Sequence, residues 1–574
     1  MNSIPTIKKP HLIFIILSII SLIIYFFLIL PFTNTPFITD ELEHLLLGKG
    51  IIFNGVPYYH QGINFGPYPH THPLLHAYII ALFLKLFYGA DFSVRLIQIF
   101  CFLCNLLLIY LISKEVFKDN DKVFLIGGVA IFLFSINPAV IQGSLVMCTT
   151  LLTPLSTLFL LLFIKSGIKK YSYKNNILPG ILFGVLLWVK FHALLLLPTI
   201  FLYHIINRDF KKAIVQPLII FSLGSCLFLF TWGLYCKLFS YPFWTPFEHN
   251  FGPLLNKVSL PSNMLKDLLV SFAVLRNVVF WTSPFFILII IFSLVEAIKR
   301  YFKNKELMLI DLLILYGSII FIIFILTKIH GAGFILYHHP MLPAFSIVIS
   351  VFVIQHLKFT QKEVMLSICL ILLSTIYCLF VVGNPLLSPF ALKSGVMANP
   401  IKLKIIVTKN LLSILSYLIL FIGVISIIKI IKRDYNLLKV ITLGTFLSLI
   451  SANISLDLIQ KKAIYSTRYC YGEKGFKEAT SYLKKSIKPN ELVLTQYDIA
   501  YASNIYLFIE IGKLPFWTGG NYKSLEETIS NPQIKWIIVR KSFYDQIDYD
   551  PSPILKTRFK LEKNFGDFDI YRKI

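Results

Sequence analysis

Two adjacent carboxylates, Asp40 and Glu41, follow the first long apolar stretch of the chain by a few residues. Charge beside an apolar stretch needs water, a cation or a role in proton transfer, because an unpaired carboxylate is costly to bury. Thr39 can cap a helix whose first turn holds both acids, and acids at that position also stabilise a helix without any further function. His44 lies four residues after Asp40, on the same helix face, and this arrangement favours a functional Asp40.

A stretch dense in His, Tyr and Pro follows these acids. The spacing of His70, His72 and His76 would suit a metal in part, but no Cys joins them and prolines separate them. A separate metal site at Asp40 and His44 alone would have only two ligands in register. Imidazoles that hydrogen-bond within a polar cavity are the favoured interpretation, and a metal site is the alternative.

Ionisable side chains also lie within one later apolar segment and directly before another. Lys190 and His192 fall inside the apolar segment 177–206, and His338 and His339 come directly before another apolar segment. A buried Lys is rare without a partner, so Lys190 either extends its ammonium to the surface or meets an anion. These residues are therefore candidates for a site that binds a charged molecule.

The composition indicates a polytopic α-helical membrane protein. The chain has 574 residues, of which 56% are hydrophobic, and apolar runs of about 20 residues recur along it. Its net charge of +25 does not point to nucleic acid, because Lys and Arg collect in the short loops that stay on the cytoplasmic side. An added attraction to anionic lipid headgroups stays open.

Charge placement predicts about thirteen transmembrane helices, with Lys8 and Lys9 holding the N-terminus in the cytoplasm. The stretch 73–88 is too short to cross and is predicted to lie at the outer interface. The predicted spans are 11–31, 93–114, 123–137, 147–165, two within 177–206 that turn near Lys190, 214–236, 278–298, 308–328, 341–357, 364–382, 410–431 and 437–455. This threading puts Asp40, Lys190 and His339 on one outer face. The basic loop 383–409 is also placed on the outer side, which violates the positive-inside rule. It is the weakest part of this predicted topology.

The sequence divides into two predicted domains. Residues 1–459 form the transmembrane domain, with an external loop at 32–92, and residues 460–574 form a small extracytoplasmic α/β domain. In the second domain, 473–487 is predicted as an amphipathic helix, 491–496 and 535–540 as strands, and 559–571 as a closing hairpin. An odd number of spans places this domain on the same side as Asp40.

The order of short motifs resembles the first external loop of the GT-C glycosyltransferases. Asp40-Glu41 is followed by Gly-x-Pro-Tyr at 55–58, His-Pro-Leu-Leu at 72–75 and Phe-Ser-Val-Arg-Leu at 92–96. The protein O-mannosyltransferases and the bacterial lipid A aminoarabinose transferases are the members that it resembles most. The likeness extends to 142–144, 186–190 and 340–344, and is strongest over 35–210.

This resemblance implies an inverting transferase that moves a sugar from a polyprenyl-phosphate carrier to an acceptor on the outer membrane face. It makes Asp40 the catalytic base, with Glu41 beside it, since a carboxylate can take the acceptor's proton. Cations or hydrogen-bond donors must hold the leaving phosphate. The expected donor-site residues are Lys190, His72, His339 and Tyr58, and the expected acceptor-side or cavity residues are His44, His70, His192 and His338.

Two departures from the family pattern matter. Thr71-His72 stands where many relatives carry Lys before the Pro-Leu-Leu stretch, and 143–150 lacks the second acid that many relatives have. No cofactor is assigned, and a need for a divalent metal stays open. The expected partners are the lipid-linked sugar, membrane lipids and a protein, lipid or glycan acceptor. The expected location is the plasma (inner) membrane. The alternative function is a transporter or flippase of polyprenyl-linked glycans, which would favour ionisable groups near the bilayer midplane.

Overall fold

The computed structural model describes residues 9–30, 39–57, 73–88, 92–117, 120–145, 150–169, 172–248, 251, 284–327, 335–355, 446, 450, 453–454, 474–505, 507–510, 529–540 and 552–574. Predicted spans 364–382 and 410–431, most of 437–455, and the basic loop 383–409 lie outside these residues. The same holds for Tyr58, His70 and His72, and for the side chains of Asp40 and Glu41.

Apolar helices build the first part of the chain, as its hydrophobic runs predict. Among the described residues, four helical segments are long and apolar enough to cross a membrane: Lys9–Ile29, Phe92–Val116, Phe210–Phe239 and Tyr337–Gln355. The helices are α1 (Lys9–Ile29), α2 (Thr39–Asn54), α3 (Leu75–Leu86), α4 (Phe92–Val116), α5 (Asn120–Ser135), α6 (Pro138–Leu145), α7 (Leu152–Leu162), α8 (Ile177–Val189), α9 (Leu196–Ile206), α10 (Phe210–Phe239), α11 (Pro284–Asn304), α12 (Leu309–Thr327) and α13 (Leu342–Gln355). The mostly helical fold is confirmed, and the total of about thirteen spans stays a prediction.

Helices α2 and α3 follow the first span. Helix α2 begins at Thr39, as predicted, and its first turn contains Asp40 and Glu41. Helix α3 has 12 residues, so it is about 18 Å long and cannot cross roughly 30 Å of hydrocarbon. The two helices approach closely at Gly48, where a Cβ would lie 2.4 Å from Ile80 Cγ2.

The sequence reading missed helix α6 and placed the next span too early. Span four was predicted at 147–165, whereas α7 begins at Leu152 and continues as a π-helix over Phe163–Ile168. Pro138 occupies the first position of α6, and Asn137 Oδ1 accepts a hydrogen bond from the Ala139 backbone N–H at 2.9 Å. This Asn-Pro cap starts a separate short helix before α7.

The predicted break near Lys190 is confirmed. Helix α8 ends at Val189, Lys190 is extended (φ −168°, ψ 142°), and a 3-10 turn over Phe191–Leu195 leads into α9. Helix α8 is fixed against α10 by small residues that let the backbones approach. A Cβ on Gly224 would lie 2.8 Å from the carbonyl oxygen of Gly180. The position of Lys190 is therefore set by a tight helix pair.

A five-stranded mixed sheet forms the C-terminal part of the chain and confirms the strands predicted there. Its order is β2-β1-β3-β5-β4, in which β1 is parallel to β2 and β3, and β5 is antiparallel to β3 and β4. The elements are α14 (Phe476–Ser486), β1 (Leu492–Thr495), α15 (Tyr497–Ala502), β2 (Phe508–Glu510), β3 (Ile534–Arg540), α16 (Ser552–Leu555), β4 (Phe559–Phe565) and β5 (Phe568–Lys573). We refer to β1–β5 with α14–α16 as the C-terminal sheet unit.

Candidate functional site

Helix α2 carries the candidate catalytic acids at its N-terminal end. One turn after Asp40, the His44 side chain is buried and its ring centre lies 4.9 Å from that of His76 on α3, in an edge-to-face arrangement. Leu42, Leu45 and Leu47 are fully buried and lie on different sides of α2, so the helix is packed on more than one side. The backbone of the first turn is thereby fixed on a packed element rather than on a loop.

Lys190 is buried in an aromatic environment at the break between α8 and α9. Its side chain is 1% exposed, and Nζ lies 4.3 Å from the centre of the Tyr337 ring. The ring of His192 lies 5.0 Å from Tyr337 and 4.8 Å from Phe324. A cation over an aromatic face is attracted to it, but burial of an ammonium remains costly unless an anion or further polar groups are also present.

His338 and His339 occupy different surroundings although they are consecutive. Both belong to the 3-10 segment Ile335–Met341 that precedes α13, and both are buried. The His338 ring packs 5.5 Å from Phe324 and 6.3 Å from Phe321, among aromatic side chains. His339 instead lines a small cavity between the helices. Of the two, His339 is therefore placed to contact a polar molecule.

This cavity has a volume of about 30 Å³ and a partly polar lining. Helix α4 contributes Gln98 and Asn105, and helix α7 contributes Thr153. Asn105 Nδ2 donates to the Cys101 carbonyl at 2.9 Å, and its Oδ1 accepts from Thr157 at 3.4 Å. The volume suits one or two water molecules or a single hydroxyl group and is too small for a sugar ring.

These cavity residues were not among the site residues predicted from the sequence. Gln98 and Asn105 are seven residues apart on α4 and lie on one helix face. Two amide side chains on one face of an apolar membrane helix are a usable signal, because such groups face the bundle interior. Neither Asn105 nor Thr153 is ionisable, which is why a search for charged residues passed over them.

An aromatic cluster connects α3, α8 and α10 beside Lys190. Trp188 Nε1–H donates to Thr231 Oγ1 at 2.8 Å, and its ring lies 5.9 Å from that of Tyr235. The Tyr78 hydroxyl donates to the Tyr235 hydroxyl at 3.1 Å. Helix α3, which also contacts α2, is thereby linked to the α8 end that carries Lys190.

The structure thus brings several predicted residues together and leaves others undetermined. Lys190 and His192 share the Tyr337 ring, and His339 follows Tyr337 by two residues. His44 belongs to the separate α2–α3 contact. Within the described part of the chain, no group of three or more His, Cys, Asp or Glu side chains could hold a metal ion. His70, His72 and the side chains of Asp40 and Glu41 lie outside that part.

Comparison with known proteins finds one family match and several structures of similar fold. Residues 71–235 match the family described as dolichyl-phosphate-mannose-protein mannosyltransferase. The fold is similar to that of ArnT from Cupriavidus metallidurans bound to undecaprenyl phosphate, with a TM-score of 0.59, 11% identity and 98% of each chain covered. Residues 71–235 thus resemble a mannosyltransferase family, and the fold of the chain is similar to that of ArnT. No curated protein sequence matches the chain significantly.

A second GT-C structure has a similar fold. The archaeal oligosaccharyltransferase AglB from Archaeoglobus fulgidus, in complex with an inhibitory peptide and a dolichol-phosphate, has a TM-score of 0.51 and 12% identity. The comparison covers 98% of this chain and 74% of that one. The family and both structures are glycosyltransferases. The region that matches the family contains α3 to most of α10, and hence Lys190 and much of the cavity lining, whereas α2 and His339 lie outside it.

Proposed function

We propose that the protein is an integral-membrane glycosyltransferase that moves a sugar from a polyprenyl-phosphate donor to an acceptor on the outer face of the membrane. The observation that carries this proposal is the buried Lys190, held at a break between two apolar helices inside the family-matched region. An ammonium in that position is suited to an anionic group at the membrane surface, and the phosphate of a lipid carrier is such a group.

Lys190 holds the donor phosphate in this proposal. When the bond between the anomeric carbon and the phosphate oxygen breaks, the leaving polyprenyl phosphate gains negative charge. A cation that is already in place stabilises that charge without having to reorganise. His339, His72 and Tyr58 are proposed to supply further donors to the phosphate or sugar, and a neutral imidazole or a phenol can do this through one N–H or O–H.

Asp40 is the proposed general base. It takes the proton of the acceptor hydroxyl as that oxygen attacks the anomeric carbon, and the electron pair of the broken bond leaves with the phosphate. The helix dipole favours the ionised carboxylate in the first turn of α2, which is the form that accepts a proton. Glu41 is proposed to assist beside it, and His44, His70 and His192 to line the acceptor side, whereas His338 packs among aromatic rings.

The test compares wild type with Asp40→Asn in liposomes that contain polyprenyl-phosphate sugars and a panel of hydroxyl acceptors. A loss of about 10²–10⁴-fold in turnover is expected, the usual contribution of a general base. Asp209→Asn is the matched control, because Asp209 also begins a helix, where its carboxylate accepts from the Lys212 backbone N–H at 3.2 Å. The side-chain hydrogen bond with Lys212 lowers the pKa of Asp209, so this control acid is ionised too.

The control variant should retain wild-type turnover. Equal turnover in Asp40→Asn and wild type would remove Asp40 as the base. If wild type transfers no sugar from any donor but moves a fluorescent polyprenyl-linked sugar between leaflets, the transferase proposal is wrong and a flippase is the better description.

A further inference from the structure

The C-terminal sheet unit rests directly on the helix that carries the candidate catalytic acids. Helix α15 packs against α2, and Lys49 Nζ of α2 lies 4.5 Å from the centre of the Tyr501 ring. Ile499 and Ala500 of α15 are fully buried in the same apolar cluster as the leucines of α2. The two parts of the chain, more than 400 residues apart in sequence, therefore form one packed contact.

Helix α15 is itself fixed to the sheet. The Asp498 carboxylate is paired with the Arg540 guanidinium at the end of β3, and both side chains are 16% exposed. The Arg540 guanidinium carbon also lies 5.4 Å from the centre of the Phe568 ring on β5. A largely buried ion pair across two elements makes α15 a rigid extension of the sheet rather than a mobile turn.

Helix α2 is held from a second direction by α3. Gly48 abuts Ile80, and the next residue, Lys49, faces Tyr501. Consecutive helical residues lie about 100° apart around the axis, so these two contacts fix the rotation of α2 about its own axis. Asp40 lies nine residues before Lys49, which is about 14 Å along the same axis.

We propose that Tyr501 is a positioning residue for the transferase. Through Lys49 it sets the rotation of α2, and thereby the orientation of the first turn, which carries Asp40. This inference rests on the proposed role of Asp40. A side-chain tip lies about 5–6 Å from a helix axis, so a roll of about 15° moves it by about 1.5 Å. A displacement of about 1 Å at a reacting group can cost about 100-fold in rate.

The test uses the full-length protein in liposomes and two substitutions at one position. Tyr501→Leu removes the aromatic face, and Tyr501→Phe keeps it. Tyr482→Leu is the matched control, because Tyr482 in the same sheet unit also lies under a lysine, with Lys563 Nζ 4.9 Å from its ring centre. Two quantities are measured: kcat and KM for the lipid-linked sugar, and hydrogen–deuterium exchange of the α2 backbone amides.

Tyr501→Leu should lower kcat by about 10- to 100-fold with KM for the donor unchanged, because the displaced group acts on the acceptor. It should also raise amide exchange in α2 by at least about tenfold, since a contact that helps to fix the helix is lost. Tyr501→Phe and Tyr482→Leu should match wild type in both measurements. Lys49→Met, which removes the charge from the other side of the contact, should reproduce the effect of Tyr501→Leu.

Unchanged exchange in α2 for Tyr501→Leu would overturn the inference, as would an equal loss of kcat in Tyr482→Leu. If Tyr501→Leu does not fold, Lys49→Met decides: unchanged exchange and kcat in that variant also overturn it. Failure of the proposed function has a different signature. In that case Tyr501→Leu raises amide exchange in α2 while Asp40→Asn leaves turnover unchanged. This result would support the contact between Tyr501 and α2 and would remove Asp40 as the residue that it positions.

Discussion

Replacement of Lys190 by Met separates a functional ammonium from a structural one. Methionine has an unbranched side chain of similar length, so Lys190→Met fills most of the same space and removes only the charge. The native side chain is 1% exposed, with Nζ 4.3 Å from the Tyr337 ring centre. The substitution therefore tests the charge in its native environment without opening a cavity.

The expected loss of activity follows from the contact with phosphate. A hydrogen bond to a charged group contributes about 1.5–3 kcal/mol, and removal of one member of a buried charge pair costs about 2–5 kcal/mol. A loss of about 3 kcal/mol corresponds to roughly 150-fold in kcat/KM for the lipid-linked donor. The stability of the protein without bound donor should change much less than this.

The stability of the free protein should change much less than its activity. The attraction between a desolvated ammonium and an aromatic ring is about 2 kcal/mol, whereas burial of the ammonium costs several kcal/mol. These two contributions oppose each other, so their joint loss should leave the free energy of unfolding close to that of wild type. The midpoint of thermal unfolding in detergent, followed by tryptophan fluorescence, measures this alongside kcat/KM in liposomes.

Lys211→Met serves as the control for loss of a lysine charge. Lys211 is exposed near the start of α10, at the opposite end of that helix from the level of Lys190. It should retain wild-type kcat/KM. Two results for Lys190→Met would refute the reasoning: kcat/KM within twofold of wild type, or a fall in activity that parallels a fall in the unfolding midpoint.

Three further substitutions test the packing that positions the site. Asn137→Ala removes the cap of α6 and should cost about 1 kcal/mol of stability, seen as a lower thermal midpoint; an unchanged midpoint would show that the cap is not needed. Gly224→Val should separate α10 from α8, because a Cβ at position 224 would lie 2.8 Å from the Gly180 oxygen. We expect a loss of stability of about 1–3 kcal/mol or more and a lower affinity for the donor. Wild-type donor affinity would mean that the helix pair does not position Lys190. Arg300→Met should cost about 3–5 kcal/mol because it removes the cation that contacts the 2%-exposed Asp311 at 2.6 Å and leaves that carboxylate with the Met308 backbone N–H at 2.9 Å. Adding Asp311→Asn should recover part of this loss in the same unfolding assay.

The sequence predicted the break at Lys190 because the signal is local. A lysine and a histidine within an apolar segment cannot continue a lipid-facing helix at low cost, and the structure ends α8 at Val189. The strands of the C-terminal sheet unit were predicted for a similar reason. Short β-branched runs such as the one before Arg540 specify a buried strand from their own residues, and β3 covers Ile534–Arg540.

Other features escaped the sequence because they depend on partners distant in the chain. Tyr337 lies over Lys190, and Tyr501 over Lys49, only because separate helices pack side by side. The cavity beside His339 likewise needs side chains from several helices at once. The short helix α6 was missed for a different reason, since its Asn-Pro cap was present in the sequence but was not read as a start signal.

The amino-acid sequence specifies where the chain is apolar enough for membrane helices, where charge interrupts them, and the order of motifs around Asp40 that resembles the GT-C glycosyltransferases. Those properties belong to single residues and short windows, and hydrophobicity and helix periodicity express them directly. The enclosure of Lys190 by aromatic rings and the packing of the C-terminal sheet unit against α2 are visible only in the tertiary structure. Such contacts join segments far apart in sequence, and only the close packing of complete helices and strands specifies which side chains meet.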